Sequence, residues 1–567
     1  MNKSFATLFG VLAACMAASA QNLNPEIVVT NEYETRMPLV PKVDLAMSCP
    51  DSLKEFRYGF DYSVFDNPYS GSYEFSPYVV KLEPGKTPAR GSSFFLRAGA
   101  GYSLHPVLDF AWSPLVTSKA SVSLLQHFGG YWGRYRSVGS DLRTVKGNAY
   151  EGYDLAESLT LTGRMGIGKA FCEASASYEG FFNSSPYGRS AWHNASAQIG
   201  VSSTGGGRRI LSYGLSLAFD AGSDRHSSGI LSENLFRIKG GFEPQISKIP
   251  FRIFADLSLE LAACQGAIDC SGSAFSFAPK GVFRFGLLNL LAGVNISAGA
   301  GSDPGNGPFS RTGQILYPDV EASVSLIGGA MDIYALIKGG VRQINYHSLK
   351  SSDHRFSGSW APFGALLDNE IERMNAGLGV RGIISDRFQY DLNAGYGIYA
   401  GTPFTGIGRR PDTGDLFPVV SYLDNNLLHA DLKSRYAYGP VEVEGNLAFR
   451  KCDTRQGNVP AVLPAALSGG LTASYSLRGR LSLCIGADVS GSRKAVVADL
   501  SPGGWTASDN TLTVPGYVDL NISAEYLLNR NWALWLRAGN LLDADLQILP
   551  LSVENGINFT AGICLKL

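Results

Sequence analysis

The chain has 567 residues, 45% of them hydrophobic, a net charge of −1, only 17% charged residues and 66 glycines; ordinary soluble domains carry about 25% charge and about 7% glycine. So much apolar content excludes a disordered chain, and the near-zero charge excludes the basic face that a nucleic-acid binder needs. Beyond residue 20 no uncharged apolar run reaches the roughly 18 residues of a spanning helix, which leaves a large, glycine-rich, aromatic, all-β chain.

In chain order, Lys3, the apolar stretch from Phe5 to Cys15 and the small residues Ala18-Ser19-Ala20 before Gln21 form a secretory signal over residues 1–20. A second reading takes Leu12-Ala13-Ala14-Cys15 as a lipidation site. Residues 21–91 read as a short N-terminal periplasmic segment, aromatic-rich between Tyr58 and Tyr78.

From Ser92 to Leu567 the dominant pattern is period two. Leu211, Tyr213, Leu215, Leu217 and Phe219 share one face early in the chain, and Phe388, Tyr390, Leu392, Ala394 and Tyr396 repeat this later. Leu481, Leu483, Ile485, Ala487 and Val489 oppose Ser482, Cys484, Gly486, Asp488 and Ser490. Val518, Leu520, Ile522, Ala524 and Tyr526 oppose Asp519, Asn521, Ser523 and Glu525. The final segment places Ile557, Phe559, Ala561, Ile563, Leu565 and Leu567 together.

Connections alternate in length. Short ones at 385–387, 438–440, 478–480 and 529–531 interleave with long polar ones near 301–312, 345–368, 401–415, 452–463 and 494–514. That parity describes a transmembrane antiparallel β-barrel with short turns at one rim and long loops at the other. Counting back from Leu567 gives about 22 strands of about 9 to 11 residues. Tyr517, Tyr526, Trp532 and Trp535 are expected at strand ends, in the membrane interface.

Gly516-Tyr517-Val518-Asp519-Leu520-Asn521, then Leu536-Arg537-Ala538-Gly539-Asn540-Leu541-Leu542-Asp543, then Glu554-Asn555-Gly556-Ile557-Asn558-Phe559 resemble the closing strands of TonB-dependent outer-membrane receptors. Arg90-Gly91 through Ala98-Gly99-Ala100-Gly101-Tyr102, followed by His105-Pro106-Val107-Leu108-Asp109, resembles the barrel opening of plug-deficient relatives. The resemblance covers 92–567. It implies a Gram-negative outer-membrane location, contact with outer-membrane lipid, and solute uptake through the barrel.

Glu26-Ile27-Val28-Val29-Thr30 resembles a TonB box, which would pair by β-augmentation with an energising periplasmic TonB-type protein. The family places a plug of well over a hundred residues ahead of its barrel, whereas residues 21–91 are far fewer. A lumen of 22 strands is ordinarily plugged, so either this segment folds partly into the pore, or a plug or surface lipoprotein subunit fills it, or the barrel leaks. The alternative is a non-transporting structural or assembly subunit of an outer-membrane complex.

Polar residues expected to face the lumen include Asp391, Asp488, Asp519, Glu525 and Arg537, with Asp220, Asp256, Arg381, Glu442, Glu444 and Arg450. Cys264 and Cys270 flank a five-residue stretch that reads as a loop and are candidates for a local disulfide. His347 and His354 share the long loop 345–368, expected to be exposed to solvent. No nucleophile elbow, His-Glu helix motif, P-loop or CxxC pair is present, so neither catalysis nor a cofactor or metal is expected.

Overall fold

The computed structural model describes residues 93–567 apart from 204–210, 227–228, 246–250, 267–268, 302–314, 328–329, 361–366, 386, 456–458, 478, 502–503 and 555. The signal segment, Glu26 to Thr30 and the aromatic stretch from Tyr58 to Tyr78 lie outside them. The rest forms a closed antiparallel barrel of 22 strands. The wall opens with Phe94–Tyr102 and ends with Asn558–Lys566. These two pair from Phe95 opposite Lys566 to Tyr102 opposite Phe559, so the sheet has no free edge.

The period-two pattern sorts side chains as expected. Leu215, Leu217 and Phe219 point outward, as do Leu392, Ile485, Val489, Ile522, Phe559 and Ile563, all substantially exposed. The alternate positions turn in, and Asp220 and Glu525 among them are buried. An exposed band of large apolar side chains around a closed sheet is stable only against lipid. Short turns gather at the rim where the last strand ends; Gly439 (φ 58°) and Gly479 (φ 64°) supply the left-handed backbone that two of them require.

Several strands outrun the expected 9 to 11 residues. Thr144–Ile167 has 24, Phe388–Arg409 has 22 and Leu416–Tyr438 has 23. Pairing continues past the lipid band because a ladder satisfies backbone groups that an open loop would leave to water. For the same reason the loops expected at 401–415 and 494–514 are largely β. Strands Arg493–Ser501 and Gly504–Val514 form a hairpin outside the wall. Its first strand runs parallel to the top of Phe388–Arg409, Val497 lying opposite Ile407. The two-residue strand Ala461–Val462 joins this cap and Val553–Glu554 pairs with the wall at Tyr135 and Arg136, and Leu142, Ile407, Ala495, Val497, Val514 and Leu551 form the cap's apolar core.

Two placements differ from expectation. Trp535 points into the barrel and is 4% exposed, while its neighbours Trp532 and Leu534 face out. The Arg97 guanidinium lies 4.2 Å from the Trp535 ring centre. Glycine at position 99 makes room for that ring, since a Cβ there would lie 2.3 Å from it. Aromatic content alone does not show which parity a ring falls on.

The connection between Cys264 and Cys270 is shorter than the five residues expected, because the first strand runs on to Gly266. Cys264, two residues before the end of Phe251–Gly266, and Cys270, the first residue of Cys270–Phe285, lie directly opposite one another, both buried and both free thiols. Opposed antiparallel residues have Cα separations of about 4.5 to 5.5 Å, inside the range a disulfide accepts. Protein isolated without reductant should therefore yield a peptide pair cross-linked through Cys264 and Cys270. Full alkylation of both thiols in denaturant without reductant would contradict this.

Candidate functional site

The site is the mouth of the barrel, where the loop joining Met331–Ile344 to Asp368–Ile384 turns inward. Its first residues make a short helix, α1 (Tyr346–Ser352), followed by a 3-10 turn at Gly358–Trp360. Asn345 caps α1: its side chain accepts from the Ser348 N–H at 2.7 Å, and the Ser348 hydroxyl is reached by the Asn345 N–H at 3.2 Å. The segment then buries Tyr346, Leu349, Phe356 and Trp360 against Trp192, Leu231, Leu235 and Tyr422 of the wall.

Wall carboxylates grip it at four points. Glu233 accepts the Tyr346 N–H at 2.6 Å and the His347 N–H at 2.9 Å, setting its negative charge on the open N–H groups of α1. Asp224 accepts from the Tyr346 hydroxyl at 2.5 Å and from Lys350 Nζ at 3.0 Å. Lys350, fully buried, also donates to the Phe356 carbonyl at 2.7 Å and to Ser190 Oγ, which itself donates to Asp224 at 2.9 Å. Glu179 lies 3.2 Å from His347, and Asp154 lies 2.6 Å from His354, whose ring stacks on Phe181 with centres 4.3 Å apart. Across the mouth, Arg355 is held by Asp353 and donates to the Pro550 carbonyl at 2.9 Å.

The two histidines expected to be solvent-exposed are thus part-buried partners of the wall. Burial pushes the Lys350 ammonium below its ordinary range, with Asp224 opposing, and pushes the Tyr346 phenol well up, with Asp224 adding to the rise. Beside this segment His105 and Glu554 approach to 3.7 Å. Almost half of the Glu554 side chain still meets the lumen, yet crowding by protein, then Asp154 and Asp519, push its carboxyl up to about 7. Burial and Arg537 hold His105 down to about 4.

The acids and bases expected from the sequence to face the lumen do not converge on one point. Asp220 takes a two-pronged contact from Arg237 at 2.7 and 3.0 Å, Asp256 shares Lys280 with Asp319, and Arg450 pairs with Asp431. Arg435 reaches Glu442 at 2.5 Å and Glu444 at 3.6 Å. Asp391 accepts from Tyr334 at 2.8 Å, with Arg381 against the same ring, and Asp519 accepts from the Asn540 N–H at 3.0 Å. Glu525 is buried, whereas Asp488 and Arg537 stay open to the lumen. Among the described residues no group of three or more His, Cys, Asp or Glu is placed to hold a metal ion.

Sequence reasoning missed Lys350 with its partner Asp224 and the three other wall acids, Asp154, Glu179 and Glu233, that hold the segment. The spacing of Asn345 and Ser348, and a loop carrying Tyr346, Phe356 and Trp360, were the signals available.

No family profile and no curated protein matches the chain. Solved structures do. The siderophore receptor PirA from Acinetobacter baumannii aligns with TM-score 0.61 at 10% identity, over 84% of this chain and 80% of its own. The FrpB iron transporter from Neisseria meningitidis gives 0.61 at 7%, over 85% and 82%, and the copper transporter OprC gives 0.58 at 12%, over 85% and 82%. The fold is that of the TonB-dependent receptor barrel. At these identities the likeness is one of fold. A closed barrel of 22 strands with an apolar outer band is an outer-membrane architecture.

Proposed function

We propose that this protein takes up a solute across the outer membrane, through a barrel whose mouth its own residues 345–360 obstruct. The observation that carries this reading is the inward loop, gripped by Asp154, Glu179, Asp224 and Glu233 on neighbouring strands and reaching Pro550 across the mouth. A scaffold has no need to fold a charged, hydrogen-bonded segment into its lumen. The fold neighbours are, by their names, siderophore, iron and copper receptors or transporters, which supports uptake as the activity. Glu26 to Thr30 would couple opening to a periplasmic TonB-type protein. Residues 21–91, or a plug or surface lipoprotein subunit, would fill the lower lumen.

A cross-linker placed at Val28 in intact cells tests the coupling. A cross-link to the TonB-type protein is expected, and it should disappear in Val29→Pro, because proline removes a donor from the paired strand. A barrel that never cross-links there would favour the non-transporting subunit.

A further inference from the structure

Beside the inward loop, strands Asp368–Ile384, Phe388–Arg409, Leu416–Tyr438 and Val441–Thr454, with the cap, line an open cavity of about 410 Å³. Protein sites for small molecules start at about 300 Å³. Its lining is chiefly apolar, with Phe404, Leu427, Val462, Pro464 and Pro550 among it. Two charged side chains reach it. Glu370 is satisfied at 2.5 Å by Arg342. Arg493 is different: its guanidinium donates to the carbonyls of Ile548, at 2.9 Å, and Gln547, and no carboxylate among the described residues pairs with it.

A guanidinium has five N–H donors, and those two carbonyls aim the group without neutralising it. Burial disfavours its charge. The cavity therefore presents one oriented, uncompensated cation at an open, chiefly apolar pocket, the complement of an anion with an apolar body.

We propose that this cavity binds a small apolar carboxylate, with the carboxylate on Arg493 and the body against Phe404, Leu427 and Val462. The identification of that ligand class as the transported solute rests on the uptake reading; the binding itself does not. No covalent step is involved.

The test uses the full chain in lipid nanodiscs, titrated calorimetrically with 2-naphthoate and with 2-naphthamide, its uncharged counterpart. Saturable binding of one naphthoate is expected, at least about tenfold tighter than the amide, a ratio equivalent to one charge-assisted contact. Arg493→Gln should bring the two ligands within about twofold. That variant also loses the bonds to Gln547 and Ile548, so Leu427→Trp, which fills the cavity and leaves those bonds alone, should abolish binding of both. Equal affinity for acid and amide, unchanged naphthoate binding in either variant, or no binding at all would each overturn the proposal. Naphthoate that binds but never enters cells keeps the site and removes its ligand class as the transported solute. Entry of other solutes without naphthoate binding removes the site and keeps the uptake reading.

Discussion

In a barrel purified without other subunits and lacking residues 21–91, replacing residues 346–366 with a short glycine-serine connection should raise the single-channel conductance in planar bilayers at least about tenfold, because a lumen of this strand number is wide once unobstructed. The inward loop joins one wall to the far side of the mouth through Arg355 and the Pro550 carbonyl. Conductance unchanged by the deletion would mean that the loop is not the barrier.

The grip itself can be tested without deleting anything. Lys350 and Asp224 are both essentially excluded from water. Removing one partner of such a pair strands the other charge and costs about 3 to 5 kcal/mol. In Asp224→Ala the loop should open often enough for trypsin to cut after Lys350 or Arg355 at least about 100-fold faster than in the wild type, since cleavage follows the population of the open form. A cleavage rate matching the wild type would show that Asp224 does not hold the loop.

The second large effect concerns the wall. Ile485→Arg should lower the folding free energy in lipid vesicles by about 2 to 4 kcal/mol, the cost of a charge at the lipid midplane. Ile485 is central in the strand Leu481–Ser490, opposite Ala473 and Ile522, and half of its side chain faces outward. The control is Asp488→Asn three positions on, on the lumen side, which should change stability by less than about 0.5 kcal/mol because water already solvates that position. Equal effects at the two sites would invert the assignment of faces.

The chain's arithmetic and periodicity were enough for the barrel. Alternation at Leu211 to Phe219, Leu481 to Val489 and Val518 to Tyr526 is written between adjacent residues, because a strand turns each successive side chain to the opposite face. Alternating short and long connections then set the strand number and put both described ends of the wall on one rim. Low charge follows from the lipid-facing half of each strand, and much of the glycine from turns such as those at Gly439 and Gly479.

What the tertiary structure alone decided lies at the mouth. Lys350 meets an aspartate 126 positions earlier, the N–H groups of α1 meet Glu233 over a hundred positions away, and His354 meets Asp154 across 200 positions. No local period encodes such pairs. Seen alone, 345–360 is a polar stretch with some aromatic rings, and whether it lies in water or in the lumen depends on which carboxylates the closed sheet carries to it. Trp535 shows the same division on a smaller scale: its ring promised an interface position, and the barrel's closure against Gly99 and Arg97 placed it inside. Sequence determines which residues share a strand face because that is a one-residue relation; which faces meet across the lumen is determined only when the twenty-second strand pairs with the first.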